Sequence, residues 1–90
     1  MLTPEANALQ RELRRCIEVT LHELDDDGRA ALVLRDVEGR SYQEIADSLK
    51  VGLSAIKMRI HRARLAFQRV FDRVCPGLHG RAEWSPPHAK

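Results

Sequence analysis

The feature that most constrains this chain is a run of apolar residues late in the sequence. Ile56, Ile60, Ala63, Phe67, Val70 and Val74 recur at alternating intervals of four and three, which marks one face of an α-helix. Between them stand Lys57, Arg59, Arg62, Arg64, Arg69 and Arg73. Such a helix has to bury its stripe and leave a basic face exposed. In a chain of 90 residues only a few short elements can cover that stripe. The length fits one domain, since domains commonly run to about 100–150 residues. It leaves little room for a deep catalytic pocket of roughly 300 Å³ or more.

Everything from Pro4 to about Cys75 reads as helical, and no stretch alternates as a strand would. The first helix is expected to take Thr3 as N-cap and Pro4 as its first residue, with Leu9, Leu13, Ile17, Leu21 and Leu24 on one face. Asp25-Asp26-Asp27-Gly28 ends it and caps a second helix, from about Asp26 to Val37, whose stripe is Ala30, Leu34 and Val37. Gly39 suits the left-handed position after a helix. Ser41-Tyr42-Gln43-Glu44 has the spacing of a capping box opening a third helix, with Ile45, Ala46 and Leu49 buried. Lys50-Val51-Gly52 is a turn, and Pro76-Gly77 stops the fourth helix. The expected division is an N-terminal helix over 1–24, a helical domain over 25–75 and a flexible tail over 76–90.

The net charge of +2 hides an asymmetry. Residues 1–49 carry six basic and eleven acidic side chains, residues 50–90 nine basic and two acidic. The second half therefore suits a polyanion, although a dipolar domain with solvated faces gives the same count. No apolar run approaches the ~20 residues of a membrane span, and Met1-Leu2-Thr3-Pro4 begins neither a basic nor an apolar leader. Two cysteines, Cys16 and Cys75, are too few for a secreted disulfide scaffold. The chain thus reads as soluble and cytoplasmic, with no membrane insertion.

Cys16 is expected to be a small buried hydrophobe and Cys75 a helix-terminal residue. Together with His79 and His88 they match no zinc-ligand spacing, so neither a metal nor a cofactor is expected. Trp84 could pack back on the domain or meet a partner. No paired carboxylates, nucleophile–base set or phosphate-binding glycine loop stands at usable spacing. The reading is of a protein that is not an enzyme and takes no small-molecule substrate.

A short capped helix, a turn of about three residues and a longer basic helix make a helix-turn-helix. Ala46 lets the two helices pack closely. Leu53, Ser54, Lys57, Met58, His61 and Arg62 project away from the Ile56, Ile60 and Ala63 stripe, a set suited to a groove floor and its walls. Arg64 is expected on another side, against phosphate or against an acidic partner on helix two or three.

The string Val37-Glu38-Gly39-Arg40-Ser41-Tyr42-Gln43-Glu44-Ile45-Ala46-Asp47-Ser48-Leu49, followed by Ile56-Lys57-Met58-Arg59-Ile60-His61-Arg62-Ala63-Arg64, resembles region 4 of bacterial sigma factors. The likeness is strongest to the extracytoplasmic-function (group IV) branch and covers roughly residues 15–72. It implies an all-α, four-helix domain with a C-terminal helix-turn-helix of the winged-helix-like superfamily. It further implies binding of promoter DNA at the −35 element and docking to the β flap of the RNA polymerase core. Carried over residue by residue, Ser54, Ala55, Lys57, Met58, Arg59, His61 and Arg62 would face DNA, with Arg40, Ser41 and Tyr42 on its backbone.

The chain departs from the family pattern at Gly52, at Ser54-Ala55 and at Met58. Ala55 and Met58 can meet a thymine methyl but donate no hydrogen bond. The −10-reading region that precedes region 4 in a complete sigma factor is not in the sequence, which fits an excised domain or a stand-alone regulator. Two other readings stand beside this one. The fold could serve mainly as an interaction module for the polymerase flap or an anti-sigma factor, or it could be a LuxR-type response-regulator output domain.

Overall fold

A computed structural model describes residues 4–78, with side chains from residue 7. Its helices are α1 (Pro4–Glu23), α2 (Asp26–Leu32), α3 (Tyr42–Leu49) and α4 (Leu53–Val74), and no strand occurs among the described residues. The expected cap at Thr3, the histidines 79 and 88 and Trp84 lie outside them. No helix among these residues is long and apolar enough to cross a membrane.

Of the predicted stripe of the first helix only Leu24 is fully buried, and the other four positions flank the inward ridge. Cys16, Thr20 and Leu24 are buried, while Leu9, Leu13, Ile17 and Leu21 pack half-buried beside them. Burying Thr20 requires a partner for its hydroxyl, which donates to the Cys16 carbonyl at 2.6 Å. Arg29 reaches back to the Leu21 and Leu24 carbonyls, 3.4 Å from each. It thereby adds a donor at the end of the helix, where the Leu21 carbonyl also accepts from the Leu24 N–H at 3.2 Å.

Asp25 is the N-cap of α2, its Oδ1 accepting from the Gly28 N–H at 2.9 Å. Gly28, within the expected span of the second helix, is a buried residue of α2. A β-carbon there would lie 2.5 Å from Asp25 Oδ1 and 3.6 Å from the Ala63 β-carbon. Glycine lets the cap and the close approach to α4 coexist.

The expected stripe of the second helix is rotated. Gly28, Ala31, Leu32 and Asp36 face inward, Ala30 and Leu34 are half-buried, and Val37 is 60% exposed. The reason lies in its last turn, which widens into a π-turn over Val33–Val37, with Glu38 N–H bonding to the Val33 carbonyl at 3.0 Å. The inward position is occupied by a carboxylate, Asp36, so apolar spacing pointed to the wrong side. Gly39 comes next with φ 73°, in the left-handed conformation expected of it.

Two small cores result. One joins α1 to the C-terminal half of α4 through Cys16, Leu24, Leu32, Ala63, Phe67, Phe71 and Leu78. The other sits under the helix-turn-helix and contains Ala31, Ile45, Ala46, Ile56 and Ile60, with Leu49 beside it. Along α4 the stripe holds as far as Phe67. Beyond it Phe71 is fully buried, whereas Val70 and Val74 are half-buried. The larger ring takes the inner place and stacks on Phe67 with ring centres 5.9 Å apart.

Two expectations about the cysteines and the chain's end change. Cys16 is buried as expected, but it is bonded to Cys75 across 59 sequence positions. Sequence spacing carries no information about such a pairing. After α4, Pro76–Leu78 form a 3-10 turn, and Leu78 packs into the first core. The loose reading of the tail therefore does not extend to these three residues.

Candidate nucleic-acid interface

The helix-turn-helix is built locally before it is built by packing. Ser41 caps α3 in a complete capping box: its hydroxyl accepts from the Glu44 N–H at 3.1 Å, and Glu44 Oε1 accepts from the Ser41 N–H at 2.9 Å. The Ser41 N–H, then its hydroxyl, hold the Glu44 carboxyl below the ordinary carboxylate value. Lys50 ends α3 in the left-handed conformation, φ 58°, and the Val51 N–H returns to the Ala46 carbonyl at 3.0 Å. α4 then starts on Gly52, which supplies no side-chain cap.

On α4, burial of Ile56 and Ile60 against Ile45 and Ala46 decides what points outward. Ser54, Ala55, Lys57, Met58, His61 and Arg62 are exposed, and Arg59 is half-buried. Lys57 leans toward α3, its Nζ 5.8 Å from the centre of the Tyr42 ring. Ala55, Met58, Arg59 and Arg62 turn the other way, onto a groove of about 800 Å³. Its opposite wall carries Glu23, Asp25 and Asp27, and its floor includes Leu24, Leu65, Ala66 and Val70. Among the described residues Lys57, Arg59 and Arg62 form no ion pair. Lys57 and Arg62 are exposed, so they are available to an incoming acceptor.

The structure separates the remaining arginines from this face. Arg64 grips Asp36 with two bonds, Nε to Oδ2 at 2.9 Å and Nη2 to Oδ1 at 2.5 Å. Asp36 is 1% exposed. Hydrogen bonding to Asp36 raises the Arg64 pKa above the ordinary arginine value, and Tyr42 adds a smaller contribution in the same direction. The acidic partner expected for Arg64 is therefore Asp36, in the π-turn that prolongs α2.

Arg40 pairs with Glu38 at 3.1 Å on the surface. Tyr42 is half-buried against the second core, with the Arg35 guanidinium 4.3 Å from its ring centre. Arg35 also donates to the Arg40 carbonyl at 2.9 Å. The ten candidate residues thus divide between the α3 side, where Lys57 meets Tyr42, and the groove side, which Ala55, Met58, Arg59 and Arg62 line. Sequence reasoning missed Arg35, whose place depends on the π-turn, and the inward placement of Asp36.

A family model described as "Sigma-70, region 4" matches residues 14–67. The chain belongs to the sigma-70 region 4 family. The match covers α2, α3 and α4 as far as Phe67. The chain is 40% identical over 62 residues to the ECF RNA polymerase sigma-E factor of Haemophilus influenzae, covering 69% of this chain and 33% of that protein. It is 36% identical over 70 residues to the RNA polymerase sigma-H factor of Pseudomonas aeruginosa, covering 78% and 36%. With the Escherichia coli ECF sigma-E factor it shares 40% over 63 residues, 70% of this chain and 33% of that one. This region 4 chain spans about a third of the length of these relatives.

Proposed function

We propose that this region 4 domain recognises the −35 element of promoter DNA as part of a sigma factor, working in the cytoplasm with the RNA polymerase core. The observation that carries the reading is the N-terminal half of α4. It presents Ser54, Lys57, Met58, His61 and Arg62 on an exposed face, rigidly backed by Ile56 and Ile60. The surrounding basic side chains neutralise phosphates and fix register, while Lys57 and Arg62 donate to base edges and Ala55 and Met58 favour thymine methyls at the groove floor. Arg40, Ser41 and Tyr42 meet the backbone at the start of α3. There the Tyr42 ring, between Arg35 and Lys57, adds cations beside a phosphate. Work of this kind is recognition, with no chemical step.

The test compares binding to a −35-containing and a scrambled duplex across a salt series. A sequence preference that Arg62→Ala or Lys57→Ala reduces, by about 1–3 kcal/mol where a base contact is lost, supports the reading. Equal binding to both duplexes, abolished by modest salt, refutes it.

A second reading rests on the groove beside α4. Half-exposed Leu65, with Ala66 and Val70 and with acidic and basic side chains in the same lining, offers an amphipathic protein helix both an apolar seat and charge partners. This is the surface we assign to the polymerase β flap or an anti-sigma factor. Loss of flap binding in Leu65→Glu, with DNA binding kept, is the expected result.

A further inference from the structure

We infer that Cys16 and Cys75 are a reversible thiol–disulfide pair, a modification site through which a small-molecule disulfide controls how firmly α1 is fastened to α4. Placement carries the argument. The two α-carbons lie 6.2 Å apart, inside the roughly 4.4–6.8 Å that a disulfide spans. Backbone and packing hold them there apart from the bond itself. Cys16 sits on the inward ridge of α1, its carbonyl held by Thr20. Cys75 is fixed where α4 ends, its N–H donating to the Phe71 carbonyl at 2.8 Å and its carbonyl accepting from Leu78 at 3.0 Å. Opening the bond therefore leaves two sulfurs facing each other, poised to close again.

The environments of the two differ in a useful way. Cys16 is 4% exposed, whereas Cys75 is half-buried at the rim. A dissolved disulfide thus meets Cys75 first. The Cys75 thiolate attacks one sulfur of glutathione disulfide, forming a mixed disulfide and displacing one glutathione thiolate. The Cys16 thiolate then attacks the Cys75 sulfur, closing the protein bond and releasing the second. Two electrons pass from the protein dithiol to the glutathione disulfide, and the two thiol protons end on the two glutathiones. Reversibility rests on the function proposed above, because a chain that works on DNA in the cytoplasm meets a reducing thiol pool in which disulfides are transient and redox-sensing.

The pair is a property of this chain beyond the matched family segment, which includes Cys16 and ends before Cys75. Its location limits what it can change. Cys75 lies about 25 Å along the helix axis from Met58, so its closure acts on the core shared by α1, Phe67, Phe71 and Leu78. The DNA-reading half of α4 stays as it is.

The test equilibrates the purified chain in buffers running from all-reduced to all-oxidised glutathione, then alkylates it and reads thiols by mass. Intermediate mixtures are expected to yield both the doubly alkylated and the bridged form. A chain that stays dithiol in pure glutathione disulfide, or stays bridged in pure reduced glutathione, overturns the inference. Hydrogen exchange then compares the two forms: α1 amides are expected to exchange at least about tenfold faster when reduced, with α3 and residues 53–62 unchanged. Equal α1 protection in both states overturns the control of α1. Cys75→Ser, at the more accessible position, should match the reduced form whatever the buffer. Binding of the −35 duplex, measured in both states, should agree within about twofold. No binding in either state refutes the DNA reading and leaves the thiol result standing, whereas a larger difference between states refutes the confinement to α1.

Discussion

Removing the carboxylate of Asp36 tests how α4 is fixed. Its two oxygens receive Arg64 Nε at 2.9 Å and Nη2 at 2.5 Å, and the side chain is 1% exposed against 29% for Arg64. Breaking a buried pair by deleting one partner costs roughly 3–5 kcal/mol, most of it from the charge left behind. Asp36→Ala leaves a guanidinium that still reaches water, which places its cost at about 2–3 kcal/mol, below that range. Arg64→Ala leaves the deeper charge and should cost more, about 3–4 kcal/mol. Urea denaturation followed by circular dichroism, with the disulfide closed in every sample, gives both values. The double mutant should be less destabilised than the sum of the singles by about 1–3 kcal/mol. The reasoning fails if Asp36→Ala lies within about 0.5 kcal/mol of the parent, or if the order of the two singles is reversed.

Three further outcomes are expected. Gly28→Ala should destabilise by about 1–2 kcal/mol in the same assay, since the new β-carbon displaces the Asp25 cap; helix propensity alone would predict a gain. Glu44 has its pKa lowered in the folded state. Its stabilising effect is present above the unfolded value and is lost as pH falls through the lower folded one. Glu44→Gln keeps the bond to Ser41 and should flatten that acid-side decline in Tm. Cys75→Ser, compared with the bridged chain, should lose about 2–4 kcal/mol, because the bond closes a long loop; an unchanged midpoint in urea would contradict this.

The elements themselves were legible because each is marked by local chemistry. Ser41 and Glu44 specify the start of α3, Asp25 the start of α2, and Gly39 a left-handed turn, all through short-range hydrogen bonds that spacing reveals. The candidate face of α4 was legible for the same reason, since burial of Ile56 and Ile60 fixes the direction of Ser54, Met58 and His61. The second helix was misread because apolar periodicity assumes that inward means apolar. Asp36 breaks that assumption with a partner 28 positions away, and the π-turn shifts the register of the residues after it. Arg35 was missed as a consequence. The Cys16–Cys75 bond depends on where the end of α4 falls against α1, which is tertiary geometry and leaves no trace in spacing.

The two cores meet along α2, where adjacent residues divide between them: Ala31 serves one and Leu32 the other. For an engineer this is a seam. Residues 41–61 can be exchanged for those of another helix-turn-helix if Ala31, Asp36 and Arg64 are retained as the joint. The α1 side, with its own core and its cysteines, would pass unchanged into the chimaera. A domain divided in this way lets the helix-turn-helix and the α1 side be rewritten one at a time.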